Sequence, residues 1–159
     1  MEKKSIYRLV ISLLLSAAAA ILGSIPIFLG NGIAWQDTLN KPFYAPPNWL
    51  FSPAWTVLFL LMALAFFLIW EKWPDKKAQT AVYLFIGQLV LNVAWNYLFF
   101  GARSISLGLI EILLLLIVVA ATVYAFYQVD KRAAWLLVPY LLWICFATAL
   151  NAGLWLLNH

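Results

Sequence analysis

Three amides on one stripe, one carboxylate and three indoles are the groups in this chain that can do chemistry inside an apolar medium. Gln88, Asn92 and Asn96 are spaced i, i+4, i+8, which puts them on one face of a helix. Glu111 stands alone in a long apolar run, and Thr148 and Asn151 lie near the end of another. Trp143, Ala147 and Asn151 repeat the i, i+4, i+8 spacing, and the small Ala147 leaves room beside the indole. Trp55 and Trp95 complete the set. Flat apolar walls with a few hydrogen-bonding groups suit a flat, mostly apolar ligand of moderate size.

Other chemistry lacks its residues. The single histidine, His159, is the last residue, so it is expected neither to ligate a haem iron nor to act as a base among the apolar segments. Cys145 is the single cysteine, which leaves no intrachain disulfide and no Cys/His set for zinc; no metal site is expected. There is no phosphate-cradling glycine loop and no nucleophile–base pair, which disfavours a hydrolase or a nicotinamide-dependent enzyme. One deep acid is thin support for a channel or a carrier of charged solutes. Any redox or photochemical step would fall to tryptophan, tyrosine or the ligand itself.

The elements that position these groups follow from composition. The chain is 66% hydrophobic and 10% charged, against roughly 25% charged in soluble domains. Its solvent is lipid. The predicted fold is all-α: one polytopic membrane domain of five transmembrane helices over residues 6–29, 52–70, 78–100, 104–129 and 134–157. The last two breaks are a few residues long, so the helices they join are antiparallel neighbours. The N-terminal apolar run is too long for a secretory h-region, although residues 16–20 mimic a small-residue cleavage site.

Residues 30–51 form the one long break. From Asn40 to Trp55 the chain carries Pro42, Pro46, Pro47 and Pro53 with Trp49 and Trp55. Proline fixes φ, removes a donor and pushes the preceding residue toward extended backbone, so a stiff, structured loop is expected. It is read as the cap of a pocket between the helices. Lys3, Lys4, Arg8, Lys72, Lys76, Lys77, Lys131 and Arg132 fall on one side of the membrane, and Lys41 and Arg103 on the other. This predicts a cytoplasmic N-terminus, an external C-terminus and an external loop. The +4 charge is thereby a topology signal, and no nucleic-acid partner is expected. The amide stripe, Glu111 and Asn151 then share the outer half of the membrane, under the loop.

Two readings stay open for several residues. Trp35, Trp49, Trp70, Trp73, Trp135 and Trp155 lie at helix ends, where interfacial anchoring accounts for them as well as a binding role does. The amide stripe serves a ligand or bonds between helices. Glu111 is a buried acid of the site or a structural carboxyl with Asn92, Asn96 or an indole N–H as partner. Pro139 reads as a helix kink. Gly87 and Ala94, seven apart, suit a helix contact within the bundle or between subunits.

The chain resembles the TspO/MBR family of tryptophan-rich sensory and translocator proteins. The resemblance rests on W-x-x-x-L-x-K-P at Trp35–Pro42, A-P-P-x-W at Ala45–Trp49 and S-P-A-W-T at Ser52–Thr56. It continues in L-N-x-A-W at Leu91–Trp95, F-F-G-A-R at Phe99–Arg103 and P-Y-L-x-W-x-x-F-A-T-x-L-N at Pro139–Asn151. It implies a five-helix bundle, commonly a homodimer, with a loop-covered pocket for porphyrins, haem and related tetrapyrroles, needing no cofactor. It implies light-dependent protoporphyrin IX breakdown in which Trp55 and Trp143 are the catalytic indoles, and carrier or sensory roles as alternatives. Gln88, Asn92, Trp95 and Ala147 fall on pocket-lining positions, and the motif residues Trp35, Pro46, Pro47 and Trp49 join Trp55, Trp143 and Asn151 as ligand-binding candidates. A helical bundle argues for a bacterial plasma membrane, with the mitochondrial outer membrane as the alternative. Two departures matter. Gln36 stands where many members have Tyr, and the C-terminal LNAGLWLLNH lacks the Tyr and Arg of the motif proposed for cholesterol in animal members.

Overall fold

The computed structural model describes residues 3–158, so His159 lies outside the described residues. Five helices are long and apolar enough to span a bilayer. They are α1 (Lys3–Phe28), α3 (Phe51–Trp70), α4 (Lys76–Asn96), α5 (Ile105–Val129) and α6 (Lys131–Asn158), with a short α2 (Gly32–Gln36) after the first. A 3-10 turn, Asn48–Leu50, leads into α3, and a π turn, Tyr97–Gly101, ends α4.

Several ends differ from the sequence reading, and capping explains two of them. Asp75 accepts the backbone N–H groups of Lys77 and Ala78, which draws Lys76 into α4. Asp130 accepts the Arg132 N–H at 2.9 Å, so α6 starts at Lys131 rather than at 134. Ser104 caps α5 as the break at 101–103 suggested. The five-residue α2 was not anticipated within the loop, because one turn and a half shows no period to read.

Consecutive long helices pack where the breaks are short, α4 on α5 and α5 on α6. Helix α1 packs on α3 and α4, and α3 on α6, so the order around the bundle is α1, α3, α6, α5, α4. The half of the bundle away from the loop is filled. Phe66 stacks on Phe85 at 4.6 Å and Phe85 on Phe126 at 5.8 Å, tying α3, α4 and α5 together through offset rings. Met62, Ile69 and Val119 are buried in the same core. At that end Arg8 pairs with Glu71 at 3.2 Å, and Ser5 donates to the same carboxylate at 3.2 Å.

The loop is stiff and pinned. Asn31 adopts the left-handed conformation, φ 55°, and turns the chain back over α1. A Cβ on Gly32 would meet the Pro26 carbonyl at 2.8 Å and Phe100 at 2.9 Å, so only glycine allows this approach. Farther on, the Asn40 N–H donates to Asn158 Oδ1 at 2.8 Å and the Asn40 carbonyl accepts from Asn158 Nδ2 at 2.9 Å. The Tyr44 hydroxyl donates to the Ala149 carbonyl at 2.9 Å. Asp37 holds both Lys41, at 2.7 Å, and Asn48 Nδ2, at 3.1 Å. The loop is thus clipped to the C-terminal part of α6.

Candidate ligand-binding site

Beneath the loop, all five long helices surround a cavity of about 630 Å³, within the 300–1,000 Å³ range of small-molecule sites. Its walls are mainly apolar. Helix α3 contributes Phe51, Trp55 and Phe59; α4 and its π turn contribute Asn92, Trp95, Asn96, Phe99 and Phe100; α6 contributes Trp143, Ile144, Ala147 and Asn151. On α1 and α3 the wall includes the exposed Leu13, Phe28 and Leu60, so the cavity continues sideways into the cleft between these two helices.

The indoles are held by packing. Trp55 and Trp143 stand with centroids 6.3 Å apart and planes at 80°, and Phe51 meets the edge of Trp143 at 5.9 Å. Trp95 stacks on Phe99 at 4.9 Å and donates its Nε1–H to the Gly108 carbonyl at 3.1 Å, which fixes its plane. The π turn supports this arrangement. Widening the last turn of α4 sets the adjacent Phe99 and Phe100 both inward, each under a tenth exposed.

The amide stripe is a hydrogen-bonded column. The Tyr140 hydroxyl donates to Gln88 Oε1 at 2.9 Å and accepts from Asn92 Nδ2 at 3.1 Å; Asn96 Nδ2 donates to the Asn92 carbonyl at 3.0 Å. Tyr140 also sets its ring 6.3 Å from Trp55. Four buried groups in or near this column have polar atoms without a partner among the described residues: both Glu111 oxygens, Oδ1 and Nδ2 of Asn151, Gln88 Nε2 and Ser16 Oγ. Ser16 stands out, because Ser12, Thr122 and Thr148 each donate back to a carbonyl four residues earlier, as helical hydroxyls commonly do.

Residues 11–156 match the model of the TspO/MBR family. The chain is 41% identical over 157 residues to the Tryptophan-rich protein TspO of Archaeoglobus fulgidus, covering 97% of this chain and 99% of that one. It is 42% identical over 132 residues to the human Translocator protein, covering 82% and 78%. It is 39% identical over 117 residues to the Tryptophan-rich sensory protein of Cereibacter sphaeroides, covering 74% and 72%.

The chain belongs to the TspO/MBR family.

With five spans in this family, it is an integral membrane protein. Of the positions that the TspO/MBR resemblance brought forward, Trp55, Asn92, Trp95, Trp143, Ala147 and Asn151 meet around the cavity. The others do not. Trp35 packs edge-on against Phe99 at 5.3 Å, behind the wall. Trp49 is 71% exposed and Pro47 is exposed; both sit on the rim turn before α3. Pro46 borders only a small pocket of about 10 Å³. Gln88 is buried below the floor, where the Tyr140 hydroxyl covers it. Glu111 is buried beside the column, and none of its expected partners bonds to it: Asn92, Asn96 and the Trp95 indole are engaged elsewhere.

The sequence reading missed one whole wall. Ser16, Ala19, Ala20, Gly23 and Ile27 of α1 line the cavity. A Cβ on Gly23 would lie 3.0 Å from Asn96 Nδ2, so this glycine lets α1 close against the amide column. The available signal was the spacing of small residues by three and four along α1. It also missed Tyr140, which appears in the sequence as one tyrosine beside a proline.

Proposed function

We propose that this protein binds tetrapyrroles of the porphyrin and haem type in the cavity under the first loop. The observation that carries the reading is one cavity of about 630 Å³ walled by three indoles and roofed by a pinned loop. A flat macrocycle gains apolar burial and ring contact against Trp55, Trp95 and Trp143. The wall groups require no axial nitrogen, so free-base porphyrin is expected to bind about as well as haem. The protein itself needs no cofactor.

The proposed activity is light-dependent breakdown of protoporphyrin IX, with Trp55 and Trp143 as the catalytic indoles. In the proposed step the light-excited macrocycle takes an electron from one of the crossed indoles and passes it to dissolved oxygen, and the indole radical recovers an electron from the macrocycle, so that the macrocycle is oxidised, oxygen is reduced and the indole is restored. The protein is proposed to work as a homodimer in a bacterial plasma membrane, N-terminus in the cytoplasm. The open face at Gly87, where an added Cβ meets nothing within 4 Å, supports a subunit contact there.

A second reading is a carrier for tetrapyrroles or other lipophiles, favoured by the sideways continuation of the cavity between α1 and α3. The packed inner half speaks for exchange with the outer leaflet and against a through-pore.

The test is a titration of the detergent-purified protein with protoporphyrin IX and with haem in darkness, following tryptophan fluorescence. Saturable quenching by both, at similar affinity, is the expected result. Absence of saturable binding would overturn the reading, and a haem spectrum with axial nitrogen ligation would overturn the proposed mode. Flux of porphyrin into protein-bearing vesicles, absent from empty ones, would favour the carrier.

A further inference from the structure

The upper wall of the cavity holds an amide with nothing to bond. Asn151 is 1% exposed and lines the cavity, and neither its Nδ2 nor its Oδ1 has a hydrogen-bond partner among the described residues. The other two amides at membrane depth in this wall are engaged, Asn92 with Tyr140 and Asn96 with the Asn92 carbonyl. The space for Asn151 is made on purpose by the fold. On α5, a Cβ at Gly108 would lie 3.2 Å from Asn151 Nδ2 and 2.8 Å from Phe99, so the missing side chain is what admits the amide. The Gly108 carbonyl itself accepts from Trp95.

An unpaired amide in apolar surroundings is costly, and a ligand that supplies the missing partners relieves that cost. A carboxamide presents one acceptor and one donor side by side. Its full complement is a group offering a donor and an acceptor at the same spacing: a cis-lactam, a primary amide or an undissociated carboxyl. An ester or an N-alkyl lactam has no donor, and a carboxylate has no donor either; each satisfies only half of the pair.

We propose that Asn151 is the polar recognition point of the cavity, selecting flat apolar ligands that present a cis-lactam or an undissociated carboxyl edge. This rests on the reading of the cavity as the ligand site. Among tetrapyrroles it selects free propionic acids or lactam ends over full esters.

The experiment uses a planar tricyclic lactam, phenanthridinone, and its N-methyl derivative, titrated by calorimetry into the full-length protein in detergent. The wild type is expected to bind the N–H lactam ~10-fold more tightly than the N-methyl compound, the equivalent of one unmade hydrogen bond. Asn151→Leu, close in volume, is expected to abolish the preference: the lactam loses both hydrogen bonds and weakens more, the N-methyl compound loses only the one its carbonyl accepts, and the two end at similar affinity. Equal affinities in the wild type overturn the proposal, as does failure of both to bind. A preference that survives in Asn151→Leu also overturns it, because it would then come from the bulk of the methyl group. The wild-type comparison stands without the variant, should Asn151→Leu not fold. Failure of protoporphyrin IX to bind, with the lactam preference intact, would overturn the tetrapyrrole reading and leave this one standing.

Discussion

Trp55 and Trp143, on helices α3 and α6, cross at 80° with ring centroids 6.3 Å apart in the wall of the cavity. Neither ring is free to turn. Trp55 is braced by Phe59 at 5.6 Å and Trp143 by Phe51 and Phe146. A flat ligand in the cavity would therefore meet two indole faces set at different angles, which would restrict its orientation before any polar contact is made.

Tyr140 joins this pair to the amide column. Tyr140→Phe removes the hydroxyl that serves Gln88 and Asn92, leaving a buried acceptor and a buried donor unmatched. A loss of about 1–2 kcal/mol is expected in thermal or denaturant unfolding in detergent. The ring stays, so the support of Trp55 and the affinity for porphyrin should remain near wild type. Unchanged stability would show that the column contributes nothing net.

Gly108→Ala puts a methyl 2.8 Å from Phe99. Both Phe99 and the Trp95 ring stacked on it must shift, and overpacking of this kind costs about 1–3 kcal/mol. Unfolding temperature in detergent should fall and the indole hydrogen bond to residue 108 should weaken. An unchanged melting temperature would mean that the contact between α4 and α5 yields without cost.

Asn158→Ala unclips the loop. Three hydrogen bonds of its side chain go, two to the Asn40 backbone and one to the Leu154 carbonyl. Losing about 1 kcal/mol of closure should speed ligand dissociation roughly five-fold and raise protease cleavage within residues 37–49. Stopped-flow displacement and limited proteolysis check this. Unaltered dissociation would mean that ligands leave by the cleft between α1 and α3.

Asp130 links stability to pH. The Arg132 side chain, at 3.1 Å, holds its carboxyl below the usual carboxylate range. A lowered value means that its stabilisation is fully present above about pH 4 and fades as pH falls through the lowered value. Arg132 is 76% exposed, so the ion pair itself adds little. The cap on the Arg132 N–H dominates, and Asp130→Ala should cost about 1 kcal/mol near neutral pH. The difference from wild type should shrink in acid. A difference that grows in acid would contradict the assignment.

The five spans and the antiparallel pairs were readable because each rests on a long apolar run closed by charges, glycine or proline. The polar cluster under the loop was readable too, since Asn92, Asn96 and Asn151 keep helical spacing with Trp95 and Trp143. What one sequence conceals is which side of a wall a residue faces. Gln88 shares the stripe of Asn92, yet it lies one turn deeper, and only the reach of Tyr140 from α6 takes it out of the cavity. Trp35 and Trp49 sit in motif text as conspicuous as that of Trp55, but the fold back over Pro26 turns one behind Phe99, and the rim turn leaves the other exposed. The α1 wall was hidden because Ser16, Ala19 and Gly23 carry almost no chemistry of their own. Their role appears only when α1 is set against Asn96.

The most direct measurement is protoporphyrin IX bound to the purified protein and then illuminated, with Trp55→Phe and Trp143→Phe beside the wild type. The account predicts saturable quenching of tryptophan fluorescence in darkness for all three, then light-driven loss of the porphyrin band that either substitution slows. No saturable binding, or bleaching at the same rate in all three, would contradict it.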